Sequence, residues 1–492
     1  MNRGLTALIA GLLFVPLFAA PLKAQESEQI ISLESAIQTA LSNSQRIQAA
    51  EEGLSVAEQQ VREAWAGVMP DISADASYSR NLRVQEAFLP AIIFDPGADP
   101  DDLVPVRFGA DNTWSAGIMA RQPLFEYNVF IGLGAAARFR TLQNEVVRGA
   151  TQEVVSAVRR AYLDVLLAIE NERLTVNTVE RTRATLEEAK GMERAGLVSE
   201  YDVLRLEVQL ANVEPNLRRA QNGVLAAKRS LLVEIGLDPT SDVEVDGSLA
   251  ELDLSDDRIN SEANARLMEM VSGFSGGEVP RAQDLYEIAL ANRTDVRQQQ
   301  FVIELEQTRL RSQKAEYFPS LSLFSNYNIT AQQNGAPNFF GTSNSRSTAA
   351  VAGVSVSVPI FRGFSRDARI QQTAAVVRQN SLQLDRIESE VVSQVETVVE
   401  AVAEARLRVL SQAGAVEQAT RGFEIASAQY REGLQSQLQV TDAENALRMS
   451  EFNYSRSVYD YLIAVAQLDG VLGTVPVQTG VAGSELSNRG EQ

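Results

Sequence analysis

Ala40-Leu41-Ser42-Asn43, with Pro70 beyond it, is written a second time as Ala289-Leu290-Ala291-Asn292 with Pro319 beyond it, both at an offset of 249 residues (41 to 290, 70 to 319). A second block repeats at a slightly shorter offset. Ala116-Gly117 through Pro123-Leu124-Phe125 returns as Ala352-Gly353 through Pro359-Ile360-Phe361 at 236 residues (123 to 359). Arg194-Ala195-Gly196-Leu197-Val198-Ser199 returns as Arg431-Glu432-Gly433-Leu434-Gln435-Ser436 at 237 (196 to 433). The halves therefore differ mainly by one loop length. Such a period is far too long for a solenoid repeat, so the chain reads as two copies of one large supersecondary unit.

Each copy mixes two rhythms. After Pro70, Ile72, Ala74, Ala76 and Tyr78 alternate with Ser73, Asp75, Ser77 and Ser79, the period of a strand with one apolar and one polar face. Trp114, Ala116, Ile118 and Ala120 do the same before Pro123. In the second half Leu321, Leu323, Tyr327 and Ile329 alternate after Pro319, and Ala350, Ala352, Val354, Val356 and Val358 before Pro359. This predicts four strands, near 71–84, 112–123, 320–330 and 348–358. Each is bounded by a proline, which cannot donate to a central ladder. The acidic stretch from Asp95 to Asp102 and the polar one from Gln332 to Ser347 read as exposed loops joining the strands of two hairpins.

The rest of each copy is helical. From Asn128 to Arg194 there is no proline, enough for a helix of about 100 Å. Val154, Val158, Ala161, Val165 and Ala168 mark a coiled-coil seam, and Val391, Val395, Val398, Val402 and Ala405 repeat it at the 237 offset (154 to 391). Gly196 and Gly433 end these helices. Ser199-Glu200-Tyr201-Asp202 and Ser436-Gln437-Leu438-Gln439 then open return helices as capping boxes, giving long helical hairpins over 128–236 and 364–472. Pro215 is expected to kink or locally open the first return helix.

Composition limits the chemistry. The 492 residues carry 44 basic and 64 acidic side chains, a formal charge of −20, which argues against nucleic acid or an anionic surface as the main partner. There is no Cys and no His, which excludes disulfides, thiolate chemistry, imidazole ligands and a Ser-His triad. No metal, cofactor or enzymatic role is expected; an enzyme of paired carboxylates ranks last because the acids lie in helical heptads. Arg3, the apolar run Leu5 to Phe18 interrupted by Pro16, and Ala24 before polar residues give the layout of a secretory signal peptide over 1–24. No later stretch is long and apolar enough for a transmembrane helix.

Four amphipathic strands cannot close a barrel, since single-chain barrels begin at about eight. The strands therefore need copies of themselves. An exported chain with such strands fits the Gram-negative outer membrane, with the long hairpins reaching into the periplasm. A periplasmic coiled-coil adaptor or scaffold is the competing reading, and the four alternating segments count against it.

In this order, the motifs around Ala40, Pro70, Pro123, Gly196-Leu197-Val198-Ser199 and their duplicates resemble the TolC-like outer-membrane efflux family over nearly the whole mature chain. The resemblance implies a mainly α fold with a membrane β-barrel: a homotrimeric channel-tunnel in which each duplicated unit joins a coiled-coil hairpin to a strand hairpin, completing an α-barrel and a 12-stranded β-barrel. It implies passive export of small molecules or polypeptides, with a periplasmic adaptor and an inner-membrane pump or ABC transporter as partners. On that pattern the first repeat is 25–237, an equatorial insertion 238–283, the second repeat 284–473 and a tail 474–492. Family acidic rings that narrow the pore fall on Asp202, Gln439 and Asp442. Asp202 is also a capping residue, whereas Asp442 lies one turn further in and has no capping role. Gln435 takes the place of an Arg that tethers neighbouring subunits in some members, and Gly196, Leu197, Gly433 and Leu434 mark the tips where an adaptor docks.

Overall fold

The computed structural model describes residues 29–99, 101–249 and 281–475. The expected signal peptide, most of the insertion and nearly all of the tail lie outside the described residues. The chain opens with strand β1 (Gln29–Ile31) and helices α1 (Leu33–Asn43) and α2 (Gln45–Ala66), followed by β2 (Asp71–Arg80), β3 (Gln85–Pro90), β4 (Leu103–Phe108) and β5 (Asn112–Phe125). Helices α3 (Tyr127–Arg194) and α4 (Glu200–Glu234) form the first long hairpin, and β6 (Val243–Val245) follows. The second half has α5 (Ala282–Asn292), α6 (Thr294–Ala315), β7 (Ser320–Gln333), β8 (Arg346–Ser357), α7 (Ser365–Arg431) and α8 (Gln437–Leu472). At 68 and 67 residues, α3 and α7 each reach about 100 Å.

One four-stranded antiparallel sheet runs in the order β2-β5-β7-β8. Its register aligns the apolar positions of all four strands. Ala74 faces Ile118, Ile118 faces Tyr327, and Tyr327 faces Ala350; the opposite face carries Asp75, Gly117 and Asn328. Because the strand period is two, a slip of one residue would invert this arrangement entirely. Among the described residues nothing pairs with the outer edges of β2 and β8, so the sheet is open.

Three local expectations need correction. The first strand ends at Arg80 rather than near 84, because the Asn81 N–H turns to the Asp111 carbonyl at 2.8 Å and its amide to the Ala110 carbonyl. Pro123 does not end β5. The strand continues to Phe125 with a register shift between Pro123 and Phe125, and the missing N–H is tolerated because pairing with β2 has already stopped at Arg121. The acidic loop is carried by a further hairpin, β3 on β4, in which Phe88 faces Pro105; Pro90 and Pro105 hide it from a search for alternating strands. In addition, α4 runs through Pro215 without interruption. The carbonyl that loses its partner there, on Ala211, belongs to an exposed residue and can turn to water.

The core lies at the waist. Leu163 and Leu166 of α3, Leu231 and Leu232 of α4 and Leu462 of α8 are essentially fully buried, and Ile31 and Val243 of the parallel β1–β6 pair close over them. Each such side chain stabilises by about 1.5–3 kcal/mol. Toward the hairpin tips the buried apolar set shrinks to Leu186, Ala189, Val203 and Leu206. Fewer buried contacts mean lower local stability, so the tips open at less cost than the waist.

Candidate functional site: the hairpin tips and the seam between hairpins

Both tips are built alike. Gly196 (φ +75°) and Gly433 (φ +71°) adopt the left-handed conformation that favours glycine. The following N–H groups of Leu197 and Leu434 return to the Met192 and Gln429 carbonyls, each at 2.9 Å. This Schellman arrangement satisfies the last carbonyls of α3 and α7, and leaves Leu197 and Leu434 at 72% and 76% exposure. Ser199 and Ser436 then cap the return helices. Asp202 Oδ2 accepts from the Ser199 hydroxyl at 2.7 Å and its N–H at 3.3 Å, and Gln439 Oε1 accepts from the Ser436 N–H at 3.2 Å.

Asp202 and Gln439 thus both serve as caps in the protomer. Asp442 is exposed and makes no capping bond. Gln435 donates to Gln429 within its own hairpin. Asp202 also faces Tyr430, whose buried phenol has no hydrogen-bond partner among the described residues. Desolvation, then the charges of Asp202 and Glu188, push that phenol above its usual range. Arg431 meets Glu188 at 3.8 Å, so the end of α7 leans on the first hairpin at the tip.

A seam of polar contacts binds α8 to the first hairpin, and the sequence reading missed it. Glu444 is buried; it contacts the Thr182 hydroxyl and accepts from the Gln209 amide, both at 3.1 Å. Gln209 in turn accepts from Thr441 at 3.1 Å, and Thr441 from the buried Gln437 at 2.6 Å. Further along, Arg181 grips Glu451 with two bonds of 3.2 and 3.0 Å. Near the waist Arg159 and Asp469, both buried, pair at 3.2 Å. The signal was present in the spacing: Gln437, Val440, Glu444 and Leu447 are all buried and follow steps of three and four, so two polar residues occupy positions a coiled coil normally fills with apolar ones.

Long paired helices, an open sheet with one apolar face, and duplicated tips are features of a channel protomer. The sequence profile of the outer membrane efflux proteins matches residues 36–236 and 285–474. The chain belongs to the outer membrane efflux protein family. It is 24% identical over 414 residues to the outer membrane protein TolC of Vibrio cholerae, covering 82% of this chain and 86% of that one. To the alkaline protease secretion protein AprF of Pseudomonas aeruginosa it is 22% identical, over 73% of this chain and 69% of that one. The fold matches the Campylobacter jejuni CmeC outer membrane channel with a TM-score of 0.70 at 14% identity, over 99% of this chain and 98% of that one. As a member of the efflux family the protein is an outer-membrane export channel that extends into the periplasm. Channels of this family are trimeric and work with adaptor and inner-membrane pump partners.

Proposed function

We propose that three copies of this chain join β8 of one protomer to β2 of the next, closing a 12-stranded barrel, while the long hairpins form a passive duct whose narrowest point is the tip region. The observation that carries this reading is the register of the sheet: one apolar face continuous over four strands, with both edges unpaired. Unpaired backbone groups cannot be left in lipid, where each costs several kcal/mol.

At the tips, Asp442 is the pore-narrowing residue, repeated three times about the trimer axis, with Asp202 and Gln439 close behind it as caps that also line the opening. The exposed apolar side chains of Leu197 and Leu434, held out by Gly196 and Gly433, are the docking points for a periplasmic adaptor. Gln435 is the candidate link between neighbouring subunits; in the protomer its amide is already engaged by Gln429, so any tether is a neutral, exchangeable bond. The assignment of 25–237 and 284–473 to the repeats, with 238–283 at the waist, belongs to the same reading. Purified mature protein should run as a trimer and conduct ions in planar bilayers. A soluble periplasmic monomer would reject the proposal.

A further inference from the structure

A pocket of about 400 Å³ lies between the first turns of α3 and the last turns of α6. Its height follows from the chain path. Helix α3 starts at Tyr127, directly after β5 ends at Phe125, and α6 ends at Ala315, shortly before β7 begins at Ser320. The pocket therefore sits at the periplasmic rim of the barrel, the level of lipid headgroups. It is lined by the rings of Tyr127, Phe130 and Phe318 and by the cationic side chains of Arg138, Arg311 and Lys314.

Both halves of that lining are unusual for this molecule. The chain carries a net −20, yet three cations converge here. Arg138 is 3.6 Å from Glu304 and donates to the Gly134 carbonyl, while Arg311 and Lys314 have no ion-pair partner among the described residues. Tyr127 and Phe318 stack obliquely at 5.3 Å. All three rings are about half exposed in the protomer, an arrangement disfavoured on the wall of a water-filled duct and favoured at a membrane interface, where aromatic rings bridge headgroup and acyl chain. Nor is this a subunit edge. At this level the helices pack in the order α2-α3-α6-α7, which places α3 and α6 centrally, with α2 and α7 toward the neighbouring protomers.

We propose that this pocket binds an anionic phospholipid of the surrounding membrane. The phosphodiester is held by Arg311 and Lys314 with Arg138 at the flank, and the glycerol and upper acyl chain lie against Tyr127, Phe130 and Phe318. Guanidinium and ammonium groups pair with phosphate through charge-assisted hydrogen bonds, and basic pockets between helices at the membrane boundary recognise acidic headgroups. The site rests on the barrel lying in the membrane, and its test reads assembly separately.

Delipidated trimer is titrated with phosphatidylglycerol, phosphatidylcholine or inorganic phosphate and observed by native mass spectrometry, which reports subunit count and bound lipid in one spectrum. Phosphatidylglycerol should be retained about tenfold better than phosphatidylcholine, and the Arg311→Gln/Lys314→Gln variant should lose that preference while remaining trimeric. In nanodiscs, a Trp65→Phe/Trp114→Phe/Phe318→Trp protein, whose single tryptophan stands at position 318, should be quenched by phospholipid brominated near the glycerol end of its chains. Equal retention of the two lipids, an unaltered preference in the double variant, displacement of lipid by inorganic phosphate at equal concentration, or an unquenched tryptophan would each overturn the proposal.

Discussion

Glu444 Oε1 on α8 lies 3.1 Å from Thr182 Oγ1 on α3, while the same hydroxyl is 2.8 Å from the Thr178 carbonyl. One hydroxyl proton faces two acceptors. A protonated Glu444 removes the conflict by donating to Thr182, and burial, the largest influence on the carboxyl, pushes its pKa above the usual range against the opposing effects of Thr182, Arg181, Gln209 and Arg448. The seam between the two hairpins therefore contains a carboxyl whose surroundings favour its protonated form more than water does.

The pH dependence follows from that direction. A carboxyl with a raised folded pKa binds more protons in the docked than in the separated state. Its contribution to docking is complete below its ordinary pKa and is lost as pH rises through the raised one. Hydrogen exchange in residues 178–186 and 440–450 should accelerate across this window beyond its intrinsic pH dependence. Glu444→Gln should flatten that excess and protect the seam at neutral pH by on the order of 1 kcal/mol. An unchanged pH profile in the variant would remove Glu444 from this role.

The Arg159–Asp469 pair gives a second test, at the waist. Both side chains are almost completely buried, so Asp469→Asn leaves a desolvated guanidinium without its counter-charge. The expected loss is about 3–5 kcal/mol, and Arg159→Met/Asp469→Leu should recover most of it. Denaturant unfolding of the three variants beside the parent measures both effects.

The sheet register separates two neighbouring positions. Val354 faces Leu323 on the apolar side, whereas Ser355 faces Ser322 on the other. Val354→Lys should impair assembly, at a cost of about 2–4 kcal/mol near mid-membrane, and Ser355→Lys should be tolerated. Equal yields of heat-resistant trimer from the two variants would show that the two faces are not lipid and lumen.

At the tips, three copies of Asp442 about one axis would concentrate cations in the opening. Asp442→Asn should reduce cation preference and block by multivalent cations without loss of trimer. Asp202→Asn should act more weakly on selectivity. Asparagine is itself a good helix cap, so the bond to Ser199 is substantially retained. Single-channel recordings distinguish the two, and unaltered selectivity in Asp442→Asn would place that residue outside the constriction.

The sequence by itself determined the duplication, the alternation of strands and long helices, the tip glycines and the capping serines. These are local consequences of backbone geometry: Ile72, Ala74 and Ala76 repeat every second residue, Val154 and Val158 every turn, and Gly196 stands where φ must be positive. Export and family followed from the order of those local marks. Tertiary structure alone decided which side chains meet across hairpins. Glu444 and Thr182 are 262 residues apart, and no periodicity says which polar residue in one seam faces which in another. Packing likewise decided that Pro123 could remain in β5, because its pairing with β2 stops at Arg121. It also brought Phe130 and Arg311 into one pocket, because two helices from different repeats lie side by side where they leave the sheet.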